Sequence, residues 1–163
     1  GTTTTTNITA NSLIKSGGTS TQYLMADGST STSSVSNVRT DKSATTSSTA
    51  AGASVDLSIT AFKSYNLLKI AIDHPAWVVL YVDAASRTAD SSRAEGTDPT
   101  PGSGVIAEVI TSQAGASTFL FSPGIFGWNN DSTPATTVYA KVKNKDSVSR
   151  DITVTLTVIQ AEG

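Results

Sequence analysis

A chain of 163 residues, 37% of them apolar, can build one core, so a single globular domain is expected. Its net charge of −2, with no basic cluster, excludes the electrostatic footprint that nucleic acid requires. Without cysteine there can be neither disulfides nor thiolate metal sites, and no apolar run reaches the roughly 18–20 residues of a membrane helix. Neither nucleic acid nor a membrane is expected as a partner.

Serine and threonine stand where charges usually do. Threonine is β-branched and suits a pleated surface, and hydroxyls keep that surface wet without charge. Sparse charge leaves little repulsion when identical subunits pack, which fits a component of an assembly. The first residue is Gly1 rather than Met, which suggests a chain processed, tagged or excised from something longer.

Residues 1–10 (GTTTTTNITA) have Ile8 as their one sizeable apolar side chain and cannot alone offset the entropy of ordering. They read either as a disordered arm or as a strand added to a partner's sheet edge. Residues 13–31 (LIKSGGTSTQYLMADGSTS) hold a Gly17-Gly18 turn, an apolar patch of Tyr23, Leu24 and Met25, and a reversal at Asp27-Gly28. Glycine permits positive φ, and an Asp-Gly pair between extended segments favours a hairpin. The patch is too small for a core of its own. It reads as an attachment clip, made of Leu13, Ile14, Tyr23, Leu24, Met25, Asp27 and Gly28, that must bury itself against something else. A second Ser/Thr-rich run, residues 30–54, lacks any helical apolar repeat and reads as an extended linker. Residues 1–54 are thus expected to form an extended arm, and residues 55–163 the globular domain.

From Val55 the pattern alternates. Val55, Leu57 and Ile59 mark one half-buried strand. In residues 65–73 Leu68, Ile70 and Ile72 are expected on one face, and Leu67, Lys69 and Ala71 on the other. A turn at Asp73-His74-Pro75 leads into residues 76–82 (AWVVLYV), apolar on both faces and so central in a sheet. Residues 83–104 form a Ser-, Asp-, Gly- and Pro-rich loop, too long for an ordinary connection. Strands follow at residues 105–111, 118–122, 125–128, 136–143 and 152–159. Lys141, Lys143 and Lys145 alternate, which places them on one solvated face. About eight short strands and no helix give the expected fold class: all-β, an antiparallel β-sandwich, jelly-roll-like in strand count.

Catalytic chemistry finds little to work with. His74 is the single histidine and reads as a turn residue, and no G-x-S-x-G elbow is present. Residues 102–107 (GSGVIA) fit a relaxed dinucleotide pattern but lack the strand before and the helix after it. Asp83, Asp90, Glu95 and Asp98 could ligate calcium, but their spacing matches no calcium loop, and they read as solvated. Glu108 has no opposed carboxylate for glycoside hydrolysis. No catalytic residue, cofactor or metal is expected. Trp77 reads as core. Trp128 stands between two readings, a sheet-edge filler and an interface or ligand-stacking residue, with Tyr139 as a second surface aromatic. A carbohydrate-binding sandwich would need an exposed platform from Tyr81, Trp128 and Tyr139.

Residues 16–31 (SGGTSTQYLMADGSTS) resemble the SGGTSxQfLkADGS segment found near the front of many bacteriophage virion proteins, including tail-fibre and capsid-surface proteins. The match runs through Ser16-Gly17-Gly18-Thr19-Ser20, Gln22-Tyr23-Leu24 and Ala26-Asp27-Gly28-Ser29. Met25 departs from it, standing where that segment often has Lys. AWVVLYVDAASRTAD, TDPTPGSGVIAEVIT and DITVTLTVIQ are similar to a domain of cyanophage structural proteins. The resemblance implies a non-enzymatic virion protein on the particle exterior, a homo-oligomer with a trimer favoured, bound to other virion proteins such as the major capsid protein. A short chain without a repeated shaft favours a capsid decoration or head-fibre protein. The alternatives are a tail-fibre or baseplate piece contacting the host, or a carbohydrate-binding β-sandwich with a host-surface glycan as its partner.

Overall fold

Apolar residues spaced by two dictate strands, and the computed structural model forms them wherever that spacing is strong. It describes residues 16–19, 22–25, 27–32, 38–111 and 115–163. The arm residues 1–10, Leu13 and Ile14 lie outside the described residues.

Two compact units divide the chain, Gly1–Ser36 and Asn37–Gly163. In the first, β1 (Gln22–Leu24) pairs antiparallel with β2 (Thr30–Thr32) across the Asp27-Gly28 reversal. In the second lie β3 (Arg39–Thr45), β4 (Ser54–Thr60), β5 (Ser64–Ile72), β6 (Ala76–Tyr81), α1 (Ala84–Ala89), β7 (Val105–Ile110), β8 (Ser117–Trp128), β9 (Thr137–Asn144) and β10 (Thr153–Glu162). The described residues thus hold ten strands rather than eight.

The eight strands of the second unit make two antiparallel four-stranded sheets, ordered β3-β10-β5-β8 and β4-β9-β6-β7. Their pairs are nested, first with last: β3 with β10, β4 with β9, β5 with β8, β6 with β7. A long hairpin rolled up on itself gives this connectivity, which is that of a jelly roll. Between the sheets lies the core, including Ile59, Leu67, Ile70, Val78, Leu80, Val142, Val154 and Leu156, all fully buried. Each such side chain contributes about 1.5–3 kcal/mol through removal from water.

Four expectations need correction. The globular unit begins at Asn37, not at residue 55, because β3 pairs with β10 from Arg39↔Ile159 to Thr45↔Thr153. The inward side of β3 carries Thr40, Lys42 and Ala44, too little apolar character to announce a strand; the Lys42 ammonium lies 4.6 Å from the centre of the Phe62 ring. In β5 it is Leu67, not Leu68, that is fully buried. Pairing slips between Leu67↔Ile125 and Lys69↔Leu120, and this irregularity reverses which side chains face inward. The same irregularity joins the two strands expected at 118–122 and 125–128 into the single strand β8. Finally, α1 occupies the start of the long loop, capped by Asp83, whose carboxylate accepts from the Ser86 amide at 2.6 Å. Six residues are too few to show a helical period in the sequence.

Candidate functional site

The hairpin is built from its turn outward. Met25 N donates to Ser29 O at 2.8 Å and Gly28 N to Met25 O at 3.0 Å. The Asp27 carboxylate accepts from the Ser29 hydroxyl (2.6 Å) and amide (2.8 Å), and these bonds hold its carboxyl below the usual carboxylate range. At the front, Thr19 and Gln22 close a second small turn, Gln22 N donating to Thr19 O at 3.1 Å. This frame leaves Tyr23, Leu24 and Met25 exposed to 64%, 45% and 48%. The clip residues Tyr23, Leu24, Met25, Asp27 and Gly28 therefore gather on one hairpin. These are three exposed apolar side chains on two strands without a core, and each gains stability by being covered.

On the sandwich, the long loop explains why β6 is apolar on both faces. Trp77, Val79 and Tyr81 point away from the inter-sheet core and form a second cluster with Val105 and Tyr139. α1 and the residues after it supply charges above this cluster. Asp90 accepts from the Tyr81 hydroxyl at 2.7 Å and from Arg93 Nε at 2.8 and 3.0 Å. Arg93 also pairs with Glu108 at 2.6 Å, and the Lys141 ammonium donates to the Asp90 carbonyl at 2.6 Å. Both cations lie over the Trp77 ring, Arg93 at 5.1 Å and Lys141 at 4.6 Å.

Burial opposes the Asp90 charge, but the hydrogen bonds from Arg93 and Tyr81 and the neighbouring cations outweigh it and lower the pKa. Burial lowers that of Lys141, with Asp90 opposing. The face of Lys141, Lys143 and Lys145 is thus not solvated: Lys141 is 3% exposed, and Lys143 and Lys145 pair with Glu95. Of the loop carboxylates Asp98 is exposed, as expected, and the other three are engaged. Asp83 caps α1, Asp90 is buried and Glu95 is paired, and no cluster suited to a metal occurs among the described residues. Glu108 is the partner of Arg93.

The aromatic residues separate in the same way. Tyr81 is buried, and Tyr139 is partly buried, donating to Asp131 at 2.8 Å beneath Arg87. An exposed platform of Tyr81, Trp128 and Tyr139 therefore does not form. Trp128 finds a different neighbour in Phe126, two residues earlier on β8, an edge strand of its sheet. Both point outward, 47% and 57% exposed. They flank an open groove of about 550 Å3 that runs against the Pro- and Gly-rich turn at residues 99–104.

That turn is fixed by local chemistry. Ser103 N donates to Thr100 O at 3.0 Å, with Pro101 and Gly102 (φ 78°) at the centre, the residues a type II turn prefers. Gly104 allows the turn to approach α1, since a Cβ there would lie 2.3 Å from Ser86 Oγ. Val82 N donates to Gly104 O at 2.9 Å and Asn130 N to Val82 O at 2.8 Å, so both walls are tied to the end of β6. Sequence reasoning singled out Trp128 but missed Phe126 and the turn as its companions. The signal was an aromatic pair two residues apart with Gly127 between them. Comparison with protein-family models, curated proteins and solved structures finds nothing that matches this chain.

Proposed function

We propose that this chain is a non-enzymatic structural protein of a bacteriophage particle, displayed on the exterior as a capsid decoration or head-fibre protein. The hairpin is its fastening and the sandwich is the part it displays. The observation that carries this reading is the exposed trio Tyr23, Leu24 and Met25 on a hairpin too small to bury them. Apolar anchors of this kind supply most of the binding energy when a partner covers them. Two further points support it: the resemblance of residues 16–31 to the phage segment, and a jelly-roll connectivity that recurs in viral capsid domains. The fold argument is analogy, because one fold hosts many functions. A homo-oligomer, with a trimer favoured, follows from the same resemblance, and the major capsid protein is the expected binding partner.

The groove beside Trp128 favours a second reading, a tail-fibre or baseplate piece that touches the host. Copy number separates the two, since a decoration protein covers the shell whereas a fibre occurs only at the tail.

The test uses particles that lack this protein. Added full-length chain should co-sediment with them, and the triple variant Tyr23→Ser, Leu24→Ser, Met25→Ser should lose that uptake while melting at an unchanged temperature. Undiminished uptake by the triple variant would contradict the hairpin's role.

A further inference from the structure

The groove on the sandwich has a chemistry distinct from the rest of the surface. Its lining carries two outward aromatic side chains, Phe126 and Trp128, together with hydroxyls and an amide from Ser86, Thr100, Ser103 and Asn130. No Asp, Glu, Lys, Arg or His lines it. Of the charged side chains next to the lining in sequence, Arg87 pairs with Asp56, Asp131 accepts from Asn129 and Tyr139, Asp83 accepts from Ser86 N and from Asn130 Nδ2 at 3.1 Å at the groove's edge, and Asp98 is exposed. The lining itself offers an ionic ligand no countercharge, and the neighbouring cation Arg87 is paired with Asp56.

We infer that this groove binds a neutral oligosaccharide, with Phe126 and Trp128 as its stacking platform. A pyranose offers an apolar C–H face and a rim of hydroxyls. The aromatic rings supply the first with its partner, and Ser, Thr and Asn supply donors and acceptors to the second. Residues two apart on a strand are separated by about 7 Å, so successive sugar rings can lie across both aromatics. The volume, about 550 Å3, falls within the range of roughly 300–1,000 Å3 typical of small-molecule sites. The walls are formed in advance, because the turn is held by Pro101, the Ser103–Thr100 bond and the Val82–Gly104 bond, so little ordering opposes binding. The inference stands apart from the hairpin's role as a fastening and would hold at either location on a particle.

The chain has two tryptophans, and Trp77 is buried, so a ligand-induced fluorescence change reports on Trp128. The full chain is screened on an array of neutral and charged glycans, and hits are titrated as short neutral oligosaccharides by fluorescence and calorimetry. Saturable binding of a neutral glycan is expected, weakened about tenfold or more by Trp128→Ala and by Phe126→Ala. Leu120→Ala, exposed on the same strand but outside the groove, should leave affinity unchanged. Circular dichroism checks that each variant is folded; Trp128→Phe, which keeps a stacking ring, should retain most of the binding. No saturable neutral hit, binding confined to charged glycans, or affinity indifferent to both aromatic substitutions would overturn the inference. So would a Trp128→Ala variant that changes only the oligomeric state, which would show that a second copy covers the groove.

Discussion

Two residue-scale features carry most of the risk in this fold. Gly127 lies in β8 where a Cβ would sit 2.6 Å from the Tyr65 ring, and Tyr65 is itself buried. The ring occupies the space a side chain would need, which frees Phe126 and Trp128 to face outward. Gly127→Ala should therefore destabilise the sandwich by about 1–3 kcal/mol through overpacking, read as a lower urea midpoint.

Asp90 is the second feature. Its folded pKa lies below the ordinary carboxylate value, so as pH falls the unfolded chain takes up the proton first and stability drops. Tyr65 and Tyr81 are displaced in the opposite sense. Burial raises both, and Asp90 raises Tyr81 further, so the unfolded chain loses these protons first in alkali. The urea midpoint should be level near neutrality, fall below about pH 4 and fall again above about pH 10. Asp90→Asn should cost about 1–3 kcal/mol at neutral pH by weakening the bonds from Arg93 Nε and the Tyr81 hydroxyl, while Arg93 keeps Glu108 and Lys141 keeps the backbone carbonyl, and should flatten the acid limb.

Among the elements, β10 was legible and β3 was not, although they are neighbours. β10 alternates Val154, Leu156 and Val158 with threonines, and hydrophobic contrast alone reveals it. β3 fills its inward positions with Thr40, Lys42 and Ala44, whose fit depends on β10 and Phe62 and cannot be seen locally. The loop after β6 hid its role for the same reason. Lys141 reads as solvated until α1 and Asp90 are placed over it, a partnership fifty-one positions apart. The groove was half legible, because Trp128 is visible in the sequence but the turn at 99–104 that faces it is brought there by folding. These placements set a deletion test. Removal of Gly1–Ser36 should leave a cooperative β domain with an unchanged melting temperature. Removal of residues 1–54 also strips β3 from β10, and should lower the melting temperature and promote aggregation through the uncovered edge. Equal stability of the two fragments would show that β3 contributes nothing.

For the whole molecule, nested pairing brings Thr45 beside Thr153 and Thr49 beside Arg150, so the jelly roll closes only when distant parts of the chain meet. Such non-local pairing makes the unit slow to fold. Its core side chains are buried, whereas Tyr23, Leu24 and Met25 on the hairpin are exposed. The central claim is tested most directly by a cryo-EM map of the intact phage particle. The account predicts eight-stranded sandwiches outside the shell, repeated with the capsid lattice, with Tyr23, Leu24 and Met25 buried against a neighbouring virion protein. Particles whose exterior lacks the sandwich, or a map in which the protein is bound while those three side chains face solvent, would contradict it.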